Sequence, residues 1–248
     1  MLLHLQTWPD VERYLAKSQG IIIPIGSTEQ HGPNGLIGTD AICAEALSRV
    51  VGEKTEALVA PTISVGMAQH HMAFTGSMTL RPSTLIAVMR DWVASLARHG
   101  FRRFYFINGH GGNVATVTAA FDEIYTATSM RGPDSSSPVR CKMLFWSQGP
   151  RASKLADELY GDSNGGHATA AEVSLSQYYH PQAIKHAQMS PKVAPKSTGF
   201  FDSADYRRRF PDGRIGSDPS LSTPEHGEQL YKASVADMIE VYKAFMAA

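Results

Sequence analysis

A chain of 248 residues, 43% hydrophobic and 19% charged, can bury one sizeable core, so a single domain over 1–248 is expected. Its 23 basic and 23 acidic side chains cancel, which removes bulk attraction to nucleic acid or an anionic membrane and makes self-association tolerable. No apolar run reaches the roughly 18–20 residues of a membrane span, and the first residues lack a basic region followed by a long apolar one, so neither a transmembrane segment nor a signal peptide is expected.

The first apolar run, 21–25, reads as a buried strand. Pro24 removes a ladder donor, which puts this strand near an edge or makes its end irregular. A helix follows over 40–51 with Thr39-Asp40 as its cap, then a strand over 57–60. The helix over 82–99 opens with Pro82 and stops at Gly100, with Leu85, Val88, Trp92, Val93 and Leu96 on one face. A strand over 104–107 leads through a Gly-rich turn into a helix over 113–128, and 132–138 reads as a surface loop. A strand over 141–146 is followed by helices over 168–179, stopped by His180-Pro181, and 223–246, with Glu225 in its first turn. Strands alternating with helices imply right-handed crossovers and a mostly parallel sheet covered on both faces. Residues 187–220 lack periodicity and are too long for a connector, so they are either disordered or packed on a neighbouring subunit. Within them Arg207-Arg208-Arg209 reads as a solvated face. Cys43 and Cys141 lie in apolar stretches and read as two buried free thiols, which suits a reducing cytoplasm.

The chemistry collects in the loops after the apolar runs. Glu29 and His31 flank Gln30, and an i, i+2 pair in an extended loop points both side chains the same way. Asp40 alone reads as a helix cap favoured by the helix dipole, but with Glu29 and His31 in one connection a metal site is the better reading. His110 lies in Asn108-Gly109-His110-Gly111-Gly112-Asn113, whose glycines allow close backbone approach; the spacing fits no phosphate cradle. Glu172 sits among Ala168, Ala170, Ala171, Val173 and Leu175 and needs a partner if buried; the alternative turns it to solvent. His167, just before that helix, suits an acid, base or substrate donor. His70 and His71 line a substrate cleft or form a subunit contact, and His99 reads as a helix C-terminal residue. Oxygen ligands mixed with imidazoles suit Zn²⁺, Mn²⁺ or Fe²⁺.

In these motifs the sequence resembles the creatininase (creatinine amidohydrolase) family. The resemblance rests on Gly26-Ser27-Thr28-Glu29-Gln30-His31-Gly32-Pro33, Gly38-Thr39-Asp40, the 108–113 motif, and Gly166-His167-Ala168 with Glu172, supported by Gly216-Ser217-Asp218-Pro219-Ser220. It implies a three-layer α/β/α fold, two divalent ions per chain and a homohexamer. By position, Glu29 and His110 hold one ion, His31 the other, and Asp40 bridges them. Creatininases proper place a ligand Glu where this chain has Gly112, so Glu172 is expected to complete the second set and Gly112 to add room beside it. Trp146 resembles an aromatic that stacks on a flat substrate. Branches of the family with Gly-His-Gly-Gly-Asn include formamidopyrimidine deformylases and a peptide-processing member of redox-cofactor biosynthesis.

The expected function is a metal-dependent amidohydrolase. A metal-activated water cleaves a non-peptide C–N bond, in a cyclic amide or formamide of a small-molecule substrate. His167 relays a proton and Glu172 supports the chemistry. The alternatives are a peptidase-like member trimming a small modified peptide, and a non-catalytic small-ligand binding subunit.

Overall fold

The computed structural model describes residues 1–130 and 138–248, so the loop expected over 132–138 lies, except for Pro138, outside the described residues. Four strands, β1 (Gly20–Ile25), β2 (Leu58–Val59), β3 (Arg103–Asn108) and β4 (Arg140–Phe145), form a parallel sheet in the order β2-β1-β3-β4. Side chains alternate across it. Ile21, Ile23, Ile25, Phe104 and Phe106 pack into one core with α1 (Trp8–Leu15), α3 (Pro82–Arg98) and α4 (Asn113–Ser129). Ile22, Tyr105 and Ile107 pack into the other with α2 (Thr39–Lys54), α5 (Pro150–Tyr160), α6 (Ala170–Tyr179) and α8 (Pro224–Ala247). Two buried faces explain why β1 is apolar without interruption. The result is the expected three-layer α/β/α sandwich. Among the described residues no helix is long and apolar enough to cross a membrane.

Several expectations are corrected. β1 is not itself an edge strand, but it lies next to the two-residue edge strand β2, and its end runs beyond that pairing as Pro24 implied. Pro24 is tolerated there because β2 spans two residues, and beyond it the Ile63 N–H donates to Pro24 O and the Gly26 N–H to Ile63 O. Thr39-Asp40 is not a cap: Gly38 holds that position without a side-chain bond, and Thr39 Oγ1 donates to Leu36 O. Helix α6 starts at Ala170 because Ala168 has φ 51°, a left-handed conformation outside any α-helix. The buried face of α3 is Leu85, Met89 and Val93, flanked by Trp92 and Leu96, with Val88 off the cluster. Cys43 is buried, but Cys141 is only half-buried because β4 is an edge strand.

The 187–220 segment is not disordered; it folds back on its own chain. It contains α7 (Ser203–Arg209) and is pinned by Arg214, which is 0% exposed. All five guanidinium N–H groups are used, on the Asp212 carboxylate and on the carbonyls of Pro191, Lys192 and Ser217. On α7, Arg207 lies 4.3 Å over the Phe74 ring, while Arg208 and Arg209 pair with Asp205.

Candidate metal centre

Glu29 and His31 follow β1, His110 follows β3, Asp40 opens α2, and Glu172 opens α6 with His167 just ahead of it. The sheet is parallel, so these pieces meet at its C-terminal edge, where ligands of open α/β sheets bind. Asn108 holds the 108–113 turn, accepting from the His110 N–H and donating to His110 O. Asn113 ties that turn to β1 through Gly26 O.

Asp40 stands at the centre. Its Oδ1 lies 3.0 Å from His31 Nε2 and its Oδ2 lies 3.0 Å from His110 Nδ1. Glu29 Oε1 is 3.2 Å from His110 Nδ1, and Glu172 Oε1 is 3.9 Å from His31 Nε2. Backbone carbonyls fix both rings: His31 Nδ1 donates to Glu29 O at 3.0 Å and His110 Nε2 donates to Met67 O at 3.0 Å. Each ring therefore turns its other nitrogen, by opposite choices of atom, toward carboxylate oxygens. Lone pairs facing carboxylates need a cation between them, a proton or a metal ion. In the metal-free chain protons fill that need. Burial pushes His31 down, but Asp40, Glu172 and Glu29 outweigh it and raise the ring to about 10. His110 is raised to about 9 by Glu29 and Asp40 against its own burial. Burial pushes Glu172 up to about 7, whereas His31 and His110 hold Asp40 well below the usual range despite its burial. Glu29 Oε1 and Asp40 Oδ2 are buried with imidazole nitrogens 3.0–3.2 Å away, none of them aligned as a hydrogen bond among the described residues. Three groups have ligand atoms within 4.8 Å of one another: Glu29–Asp40–His110, His31–Asp40–Glu172 and Glu29–His31–His167. The first two share Asp40. The donor set fits divalent ions.

Glu172 does not turn to solvent. It is buried, and it also closes the capping box of α6, accepting from the Thr169 N–H at 2.6 Å while its own N–H donates to Thr169 Oγ1 at 3.1 Å. His71 reaches the centre, with Nε2 3.1 Å from Glu29 Oε1. His70 stacks on Phe200 and lies tilted against His71, ring centroids 4.1 Å apart. Both histidines are buried within their own chain. His167 stacks on His71 at 4.3 Å and lies 3.8 Å from Glu29 Oε1 through Nδ1. Burial, then the neighbouring His71 and His31, pushes its pKa well below the usual value, so the ring is neutral. The stacking role expected of Trp146 is corrected: it is 2% exposed inside the α5–α8 core, with no face left for a substrate. Gly112 adds no room either. A Cβ there would stand 2.3 Å from His110 Nε2 and 2.8 Å from Met67 O, so the space is filled by the bond that orients His110. Gln30 and Tyr206 were not singled out by sequence, yet both are buried beside these rings.

The creatininase model (creatinine amidohydrolase) matches residues 4–242. The chain belongs to the creatininase family. Among its relatives, a mycofactocin precursor peptide peptidase of Mycobacterium tuberculosis is 37% identical over 113 residues, covering 42% of this creatininase-family chain and 45% of that protein. The chain thus spans less than half of that relative's length in the match. The Mycobacterium ulcerans peptidase of the same description is 27% identical over 245 residues, covering 94% of this chain and 84% of that protein. A solved mutant creatininase superposes with a TM-score of 0.85 at 23% identity, covering 100% of this chain and 99% of that one, which shows the shared fold.

Proposed function

We propose that this creatininase-family chain is a two-ion, metal-dependent amidohydrolase that cleaves an amide C–N bond in a small substrate. The observation that carries the reading is Asp40, whose two oxygens each lie 3.0 Å from a histidine of a different candidate triad. Glu29, His110 and Asp40 would hold one ion; His31, Asp40 and Glu172 would hold the other. Gly112 carries no ligand and has space for none, so the second set is completed from α6. Zn²⁺, Mn²⁺ and Fe²⁺ suit this mixture of carboxylates and imidazoles. Bound divalent ions supply an electrophile for the carbonyl oxygen and lower the pKa of water toward about 7.

The chain's own groups supply the rest. The side chains of His167 and Glu172 each keep 12% exposure against 0% for Glu29 and His31, so substrate arrives on the His167–Glu172 side. There the neutral His167 accepts a proton from water at Nδ1 as the C–O bond forms, and returns it to the leaving nitrogen as the C–N bond breaks. Glu172 anchors that side through the Thr169 backbone. Assembly as a homohexamer and a cytoplasmic location belong to the same reading. A second reading, trimming of a small modified peptide, is favoured by the alignment of 94% of this chain with the M. ulcerans peptide peptidase.

Assays of zinc- or manganese-loaded protein on creatinine, formylaminopyrimidines and short peptides test the reading. Turnover of a small amide or formamide with kcat/KM of roughly 10⁴ M⁻¹s⁻¹ or more is expected. Peptide cleavage alone would select the second reading, and two ions bound without any hydrolysis would leave a binding subunit.

Two further outcomes concern the ions. His31 and His110, held at about 10 and about 9, are protonated at pH 7 in the metal-free chain. Both must be deprotonated to act as ligands, and Glu172, held at about 7, gives up its remaining proton, so loading at pH 7 should release about two to three protons per chain. Calorimetric titration in two buffers of different ionisation enthalpy measures this; zero net release excludes these rings as ligands. Gly112→Ala should weaken metal affinity by about 10–100-fold, because the new methyl displaces the His110–Met67 bond. Chelator competition reads the change, and unaltered affinity would show that this bond does not orient the ligand.

A further inference from the structure

Gln30 sits between Glu29 and His31, and alternation in an extended loop turns its side chain away from theirs. It is 8% exposed. The Gly32 N–H donates to Gln30 Oε1 at 2.8 Å, which fixes the amide orientation and leaves Nε2 as the donor. Nε2 has two hydrogens and three atoms in reach: His71 Nδ1 at 2.9 Å, His167 Nε2 at 2.9 Å and Gly213 O at 3.0 Å. His167 Nε2 also lies 2.9 Å from the Gln30 main-chain carbonyl oxygen. One assignment satisfies every atom. The amide hydrogens go to His71 Nδ1 and Gly213 O, and His167 Nε2–H donates to the Gln30 carbonyl. His71 then carries its proton on Nε2, 3.1 Å from Glu29 Oε1. His167 keeps Nδ1 unprotonated, 3.8 Å from the same oxygen.

The 187–220 segment is keyed to the same amide. Gly213 has φ 88°, and a Cβ on it would stand 1.9 Å from Gln30 Oε1, so only glycine brings its carbonyl this close. Tyr206 OH donates to that carbonyl at 2.8 Å.

We propose that Gln30 is a positioning residue that selects two ring tautomers, that of His71 through its side-chain amide and that of His167 through its main-chain carbonyl, so that His167 presents an unprotonated Nδ1 to the candidate ion site. The use made of that nitrogen rests on the hydrolase reading; the tautomers themselves exist without substrate.

Long-range proton–nitrogen NMR on zinc-loaded protein labelled with ¹⁵N-histidine reads them directly. Both rings should be protonated at Nε2 and bare at Nδ1. In Gln30→Glu the carboxylate accepts where the amide donated, so the His71 proton should move to Nδ1 while zinc content stays unchanged. His167, held by the main-chain carbonyl, should keep its proton on Nε2 in the same variant. Gln30→Met, which removes the donor without adding charge, should leave His71 as a mixture of tautomers. A proton on Nδ1 of either ring in the parent protein overturns the proposal, and so does an unchanged His71 tautomer in the Glu variant. If neither variant folds, the parent spectrum alone decides. If no substrate is hydrolysed, the hydrolase reading fails while the spectra still judge the role of Gln30.

Discussion

Asp40→Asn is expected to lower kcat/KM by at least about 10³-fold and to reduce bound metal below two ions per chain. Two histidines crowd a side chain that is only 2% exposed, and they hold Asp40 ionised far below the usual carboxylate range. Each oxygen faces a different imidazole at 3.0 Å. Asparagine keeps the shape, but it removes the negative charge shared by the two triads and replaces one oxygen with an N–H donor. That donor repels a cation on its side, so one ion loses a ligand outright while both lose charge balance. Substitution at Glu29 or Glu172 touches only one of the two triads built around Asp40, so Asp40→Asn should be the most severe single change. Metal analysis beside steady-state kinetics makes the check. Near-normal ion content and turnover would reduce Asp40 to a buried residue of the first turn of α2, and the bridging role would be gone.

Part of the candidate centre was legible because three of its donors are local in sequence, and the motifs around the others resemble a known family. Glu29 and His31 share one loop, Asp40 begins the next helix, and the glycines around His110 mark a close approach. The sheet was legible for a similar reason, since strands covered on both faces read as unbroken apolar runs. What depends on distant pairing was not legible. The Gly213 carbonyl reaches Gln30 across 183 residues, and the Gly112 contact with Met67 O is set by a loop that no periodicity announces. Arg214 was invisible for the same reason, because its partners are mostly backbone carbonyls, which every residue has. Trp146 misled because an aromatic at a strand end suits a cleft and a core equally; the packing of α5 and α8 over it decides. The helices α1 and α5 went unread although both carry Pro in the first turn, and α5 buries Ala152, Ala156 and Tyr160 at intervals of four.

Glu172→Gln should leave about one ion per chain and lower kcat/KM by about 10²-fold or more. The residue has two roles, and this substitution separates them. As the third residue of α6 it closes a capping box with Thr169, a position that glutamine also fills. The helix start, and with it the approach to His167, should therefore survive. Glutamine cannot supply the negative charge that the second triad needs beside His31 and Asp40. Burial pushes Glu172 up to about 7, so near neutrality the metal-free carboxyl is partly protonated, and a bound cation would draw it to the ionised form. The Glu29–Asp40–His110 triad does not include Glu172 and should keep its ion. Thr169→Ala supplies the contrasting case. It removes the hydroxyl that accepts from the Glu172 N–H and should cost about 1 kcal/mol of stability, with both ions retained because no triad includes Thr169. Metal content and melting temperature of the two variants then move in opposite senses, ions lost with stability kept in one and stability lost with ions kept in the other. Two ions bound to Glu172→Gln would confine Glu172 to the cap and send the search for the missing ligand to His167, whose Nδ1 shares a triad with Glu29 and His31.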